Sequence, residues 1–314
     1  VNPLQQYAGI DHAALPLAPL HLAIGMFDGV HLGHRAVIEA AVQSARRSGG
    51  TAAVLTFSPH PSTLFRPNQP TRLIMDAANK ARVLHRLGVD AMITQPFTPE
   101  FAQVAALDFL PWLRQRAPQL AAVYVGENFR FGQGRKGDIA LLVAEGKKLG
   151  VTIFSAPRVN FDGEPISSTR IRVLLEAGDV AAANALLGYS YFAEGPVVPG
   201  KRLGRTIGFP TLNVAWAPDL RPRFGVYVVR VAGAKSVTAL PGVANYGLRP
   251  TVEQAVEPLL EAHVLGDCPF EAGDTVTVKW LRFLRPERKF SGVEELRAQI
   301  AKDRAEAAAD FSLR

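Results

Sequence analysis

Cysteine occurs once in this sequence, at Cys268, which excludes an intramolecular disulfide and a cysteine-based metal cluster and fits a reducing compartment. No apolar run approaches the roughly 20 residues that span a bilayer. The start, VNPLQQYAGIDHAALPLAPL, also lacks a basic segment followed by an uninterrupted apolar one. These absences predict a soluble, cytoplasmic chain with no membrane partner. Long basic runs are missing too, although the net charge is +7; the densest stretch, 282 to 289, holds Arg282, Arg285, Arg288 and Lys289. Such an excess suits nucleic acid or polyphosphate substrates, and its thin spread favours a solvated face near a phosphate site over a nucleic-acid groove. No internal repeat or low-complexity segment is seen. Hydrophobic residues at 48% and charged residues at 20% predict a folded chain, and 314 residues predict two domains.

The first part alternates short aliphatic runs with longer amphipathic stretches, the pattern of a parallel sheet covered by helices. Expected strands are LHLAIGMF (20 to 27), AAVLTF (52 to 57), AMIT (91 to 94), AVYVG (122 to 126) and VTIFSA (151 to 156). One helix is expected from His34 to Arg47, ending at Gly49-Gly50, and another from an Asp76 N-cap to Gly88. After Ser167 come two short helices, the second opening at Asp179 and ending near Gly188. From Tyr189 onward FGVYVVRVAG, KSVTAL, LLEAHVLG and DTVTVKWLRFL read as strands of a small antiparallel barrel. A last helix is expected after a capping box of Ser291 and Glu294, with Val293, Leu296 and Ile300 on one face.

Chemistry gathers at two places. In IGMFDGVHLGHRAVI a glycine-rich turn and two histidines join the first expected strand to the first helix. Such a junction binds nucleotides because the strand end opens a crevice and the helix start presents free N–H groups and a positive dipole. Gly29 and Gly33 let the backbone approach phosphate, and His31 and His34 can donate to its oxygens. Alone, H-x-G-H is equally compatible with capping or core histidines. A second loop-to-helix junction, ISSTRIRVLLEAG, adds Ser167, Ser168, Thr169, Arg170 and Arg172, suited to β- and γ-phosphates. Between them VGENFRFGQGRKGD carries Asn128, Phe129 and Arg130 in a loop able to stack a planar ring or hold adenine and ribose, and TFSPHP brings His60 to the same sheet end.

The second place lies in PGKRLGRTIGFPTLNV. Thr211 and Asn213 stand at i and i+2 on a short expected strand, so their oxygens point the same way and suit Mg²⁺ with ATP phosphate; a merely polar strand face is the alternative. Glu261 sits in the apolar strand LLEAHVLG, where a carboxylate is a candidate base for an alcohol proton or an exposed edge residue.

The set GMFDGVHLGH, TFSPHP, VGENFRFGQGRKGD and ISSTRIR resembles the nucleotidyltransferase module of the bacterial bifunctional riboflavin kinase/FAD synthetases. GRTIGFPTLNV, FGVYVVRV, GVANYGLRPTV, LLEAHVLG and LRFLRPERKFSGVEELRAQI resemble their riboflavin kinase module, in the same order. The likeness runs from about residue 20 to residue 304. It implies a Rossmann-like α/β nucleotidyltransferase domain over 1–187, then an antiparallel β-barrel kinase domain with a C-terminal helix over 188–314. Riboflavin would be phosphorylated to FMN, and FMN adenylylated to FAD, with ATP as co-substrate of both steps and Mg²⁺ as cofactor. His31, His34 and Arg170 would act on the phosphates, with Gly25, Phe27, Gly29, Gly33, Asn128, Ser167, Ser168, Thr169 and Arg172 binding ATP. His60, Phe129 and Arg130 would face the flavin. Gly200, Lys201, Gly204 and Gly208 would belong to a flap over phosphate, Thr211 and Asn213 would hold Mg-ATP, and Glu261 would activate the riboflavin 5′-hydroxyl. Asn245, Arg249, Pro250 and Thr251 match a further motif of that family. In place of its FDGDLYG-like loop stands GDCPFEAGDTV, and PTAN reads PTLN. Two rivals belong to other classes: a tRNA-charging or other nucleotidyl-transferring enzyme with the same histidine signature, and a binding protein that has lost turnover.

Overall fold

The computed structural model describes residues 3–200, Gly204, 207–248 and 258–312. The chain divides into two compact units, residues 1–168 and 169–314.

The first unit is built on a six-stranded parallel sheet of order β1-β4-β3-β2-β5-β6. Its strands are β1 (Gln5–Tyr7), β2 (Leu20–Ile24), β3 (Thr51–Ser58), β4 (Ala91–Pro96), β5 (Leu120–Gly126) and β6 (Thr152–Ala156). Every residue of β2 is buried, as a central strand covered on both faces requires. Helices α1 (Leu32–Ser48), α2 (Pro61–Phe65), α3 (Ala77–Arg86), α4 (Pro99–Ala102), α5 (Ala106–Arg116) and α6 (Ile139–Leu149) connect the strands. The ends follow their side chains: His31 caps α1, Gly49 closes it at φ 63°, and Asp76 caps α3 by accepting from the Asn79 N–H. Strand order reverses between β2 and β5, and at such a switch point two loops part and leave a crevice at the strands' carboxyl ends. The loops that part here are GMFDGVH after β2 and GENFRFG after β5. A small hairpin follows, β7 (Asn160–Phe161) and β8 (Glu164–Pro165).

In the second unit α7 (Ser168–Ala177, whose first residue belongs to the first unit) and α8 (Val180–Leu187) precede a closed antiparallel barrel of order β10-β13-β12-β11-β14-β9. Its strands are β9 (Phe192–Val198), β10 (Leu212–Val214), β11 (Gly225–Gly233), β12 (Leu240–Leu248), β13 (Pro258–Val264) and β14 (Thr275–Arg285), and α9 (Val293–Ser312) follows. Alternation in β13 turns Leu260, Ala262 and Val264 inward and leaves Glu261 and His263 on the outer face. The interior is filled by rings: Trp280 lies 4.5 Å from Tyr227 and 5.5 Å from Tyr246, centroid to centroid, and all three are fully buried. Burial lifts the Tyr246 phenol to about 12. These rings occupy the barrel's interior, and the polar residues of β13 lie on its outer face.

Three expectations change. KSVTAL is mostly a turn, with Ser236 donating to the Gly233 carbonyl and Val237 fully exposed; the strand begins at Leu240 because pairing with β11 starts there. The Ser291 cap is closed by Glu295 rather than Glu294, its Oε2 accepting from Ser291 N at 2.9 Å and Oγ at 2.8 Å. Val293 is exposed, so the covered face of α9 is carried by Leu296 and Ile300.

Candidate active sites

The turn after β2 is strained and pinned. Phe27 (φ 47°) and Val30 (φ 37°) adopt left-handed backbone that costs a non-glycine residue about 1–3 kcal/mol, and Gly29 joins them at φ 80°. The turn persists because its neighbours over-determine it. The Asp28 carboxylate, 2% exposed, accepts from Ile74 N at 3.0 Å and Met75 N at 3.4 Å. Ser168 Oγ donates to the Asp28 carbonyl at 2.9 Å, and Thr56 Oγ1 donates to the Met26 carbonyl at 3.0 Å. Lys80, buried in α3, donates to that carbonyl at 2.8 Å; burial pushes its ammonium below the usual lysine range, and the Asp28 charge opposes the shift.

This frame sets the two histidines. Their rings stack at 3.6 Å and 17°, and Phe27 meets His34 edge-on at 5.4 Å. His31 Nδ1 accepts from the His34 N–H at 3.3 Å, so neutral His31 carries its ring hydrogen on Nε2, the donor needed toward an anion. A Cβ on Gly33 would stand 3.2 Å from the His31 ring, and one on Gly25 would stand 3.0 Å from the Phe27 ring. Gly25, Phe27, Gly29, Gly33, His31, His34 and Ser168 are thus brought together. Ser167 precedes Ser168 at the end of the first unit, whereas Thr169, Arg170 and Arg172 stand on α7 in the second.

Other expected residues at this sheet end are already engaged. Asn128 Oδ1 accepts from Arg158, which also pairs with Glu127 at 3.0 Å. Phe129 stacks on Phe131 at 5.5 Å, and Arg130 faces Asp138 at 3.5 Å. His60 caps α2 through Nδ1, accepting from Ser62 N at 3.1 Å. Sequence reasoning missed Lys80, Asp28 and an aromatic group beside His60: Phe65, 65% exposed, lies 6.1 Å from Phe97, which lies 6.1 Å from Phe57. The available signal was position, since TFSPHPSTLF and QPFTPEF both follow strand ends.

On the barrel, register does the assembling. Glu261 in β13 pairs with Asn213 in β10 on one side and with Asn245 in β12 on the other. Directly opposite residues share a face, so three polar side chains form one row across three strands. Along the chain Thr211 joins Asn213, and His263 joins Glu261, at two-residue spacing. Above the row lies a cavity of about 240 Å³ lined by Thr211, Asn245, Glu261 and His263 and roofed from α9 by Leu296 and Ile300. The roof is tied down by a buried pair, Arg285 to Asp303 at 2.7 Å, with a second contact from Nε at 2.9 Å. Gln299 also donates to Asp303 at 2.7 Å. His263 Nδ1 donates to the Pro210 carbonyl at 2.8 Å; burial holds the imidazole below its usual range, opposed by that bond and reinforced by Arg304.

Asn213 Oδ1 is buried and has no hydrogen-bond partner among the described residues. A Cβ on Gly200 would fall 2.1 Å from Asn213 Nδ2, so Gly200 backbone rests directly on that amide. Among the described residues no three His, Cys, Asp or Glu side chains gather as a metal site. An orphaned amide oxygen two residues along the chain from a threonine hydroxyl fits a hard cation that takes most of its ligands from water and phosphate. Gly204 accepts from Phe209 N–H at 2.7 Å in the segment leading to Thr211, and Gly208 turns at φ 87°. Lys201, Arg249, Pro250 and Thr251 lie outside the described residues.

A sheet with a pinned histidine turn at its switch point, followed by a barrel with an outer polar row, defines a nucleotidyl-transferring module joined to a phosphoryl-transferring one. The FAD synthetase family model matches residues 17–170, and the riboflavin kinase family model matches residues 187–311. A bifunctional riboflavin kinase/FMN adenylyltransferase of Escherichia coli (strain K12) is 38% identical over 292 residues, 93% of each chain. One from Haemophilus influenzae is 36% identical over 98% of this chain and all of its own. The chain belongs to the bifunctional riboflavin kinase/FMN adenylyltransferase family. A crystal structure described as a macrolide-efflux protein from Streptococcus pneumoniae superposes with a TM-score of 0.85 at 27% identity, covering 98% of this chain and 99% of that one. Among the described residues no helix is long and apolar enough to cross a membrane.

Proposed function

We propose that this chain carries out both reactions of its family: its barrel domain phosphorylates riboflavin with ATP, and its α/β domain joins FMN to the AMP part of a second ATP. We assign the first task to residues 188–314 and the second to residues 1–187, in the cytoplasm, on small molecules alone. The observation that carries the reading is the row Asn213–Glu261–Asn245 under a cavity, in a chain whose other unit holds a pinned histidine pair at a sheet switch point.

In the kinase step Glu261 takes the proton of the riboflavin 5′-hydroxyl as that oxygen bonds to the γ-phosphorus, while the bond to the ADP oxygen breaks. Thr211 and Asn213 would hold Mg²⁺, which when bound neutralises charge on the phosphates. The cavity between the barrel's outer face and α9 receives the flavin, its apolar side against Leu296 and Ile300.

In the second step an FMN phosphate oxygen attacks the α-phosphorus and pyrophosphate leaves. No strong base is required, because a phosphate monoester is already ionised near neutral pH. That agrees with a site of histidines and hydroxyls rather than a lone carboxylate. His31 and His34 donate to the phosphates, and Ser167, Thr169, Arg170 and Arg172 receive the triphosphate. Phe65 offers exposed ring surface for the isoalloxazine, with the half-buried Phe97 and His60 supporting it. The test separates products after incubation with riboflavin, ATP and Mg²⁺, then with FMN in place of riboflavin. FMN followed by FAD is expected; binding without any new flavin would indicate a degenerate binding protein.

A further inference from the structure

Lys80 has no part in the chemistry above, yet its burial asks for a reason. It is 7% exposed, and its ammonium reaches the Met26 carbonyl at 2.8 Å and Thr56 Oγ1 at 3.3 Å. Thr56 Oγ1 donates to the same carbonyl at 3.0 Å, so one peptide oxygen receives two donors. Taking an ammonium out of water is costly, and an apolar side chain of similar length fills such space without that cost. The charge therefore serves something that packing does not need.

Peptide geometry says what. In a trans peptide the carbonyl and the following N–H point in opposite directions. Drawing the Met26 carbonyl toward β3 and α3 turns the Phe27 N–H away from them. That N–H finds no acceptor among the described residues, although Phe27 is only 2% exposed. It belongs to the residue whose ring meets His34, at the switch point between β2 and β5. A buried donor without a partner is rare in a finished fold and is what an anion site leaves open.

We propose that Lys80 is a positioning residue for adenylyl transfer: with Thr56 it fixes the Met26–Phe27 peptide so that the Phe27 N–H donates to a nonbridging oxygen of the α-phosphate. The inference rests on the adenylyl-transfer reading given above. Charge builds on that oxygen as the FMN phosphate adds to the α-phosphorus and the bond to pyrophosphate lengthens. A donor oriented beforehand stabilises this charge with no reorganisation during the reaction. Lys80 holds the peptide more firmly than a neutral donor because its hydrogen bond is charge-assisted.

The test uses the full chain, whose riboflavin phosphorylation reports on the second unit in every sample. Lys80→Met keeps the length and removes the charge. FAD formation from FMN is expected to lose about a hundredfold in kcat, with the KM for ATP little changed, as for loss of one oxyanion donor. The discriminating readout is the pair of diastereomers of ATP carrying sulfur on the α-phosphorus. The wild-type chain should discriminate against the one whose sulfur faces the Phe27 N–H, and Lys80→Met should lose that discrimination. A slower variant with unchanged discrimination would make the lysine a structural prop and overturn the proposal, as would an unchanged kcat. If Lys80→Met does not fold, Thr56→Val decides: a fall of about tenfold, the equivalent of one hydrogen bond, with weakened discrimination supports the proposal, and wild-type behaviour overturns it. A wild-type chain that phosphorylates riboflavin but makes no FAD from FMN overturns the adenylyl-transfer reading itself.

Discussion

Replacing Asp303 by alanine should loosen the roof of the kinase cavity while leaving its floor intact. Asp303 is 6% exposed at its side chain, and its partner Arg285 is 19% exposed, so removing the carboxylate strands a guanidinium that is largely out of water. Deleting one member of such a pair costs about 3–5 kcal/mol, and the partial exposure of Arg285 puts this case near the lower figure. For a unit of this size about 3 kcal/mol lowers the melting temperature by roughly 6–12 °C. Intrinsic fluorescence follows the loss, because Trp216 and Trp280 lie 5.6 Å apart in the barrel unit. Product analysis then separates effects: FMN formation should weaken through a higher KM for riboflavin, because α9 supplies Leu296 and Ile300, while conversion of FMN to FAD persists. A melting temperature that stays put would refute the reasoning, for it would mean that the pair does not anchor the helix.

Glu261→Gln should cut FMN formation by about 10²–10⁴-fold, the contribution of a positioned general base, and leave FAD formation from FMN unchanged; separate assays with riboflavin and FMN check this. His31→Asn should do the reverse, lowering FAD formation by about 10²–10³-fold as a lost oxyanion donor does, with riboflavin phosphorylation as the control. His21 supplies a pH test. It is buried, it contacts Tyr124 OH at 2.9 Å and Ser48 Oγ at 2.8 Å, and burial, reinforced by Arg47, holds it below its usual range. The unfolded chain therefore binds a proton that the folded one refuses between pH 6.5 and the lower folded pKa. Stability of the first unit should fall as pH drops through that window, and urea titrations of His21→Gln should show a flatter dependence.

Legibility tracked how local the determinants are. The five strands expected in the first unit and the caps at Asp76, Asp179 and Gly188 appear because alternation and capping are written in adjacent residues. The edge strand Gln5–Tyr7 escaped, being three residues long and mostly exposed, and stable only through pairing with β4. At the candidate sites, residue type alone was enough to nominate His31, His34, Thr211, Asn213 and Glu261. Lys80 was not, since one lysine on an amphipathic helix looks like any other until the turn it holds is known. The row through Asn245 also depends on register, which no single segment encodes.

That row bears on what inherited change the barrel can absorb. The turn near Lys235 and the loop around Cys268 lie outside the strands that carry the row, and the departure at GDCPFEAGDTV begins in that loop. Within β13 one deleted residue would rotate Glu261 from the cavity into the ring-filled interior, removing the base and burying its charge together. Divergence among such enzymes is therefore expected to accumulate as loop-length variation, with the spacing from Thr211 to Asn213 and the interval from Glu261 to His263 held constant.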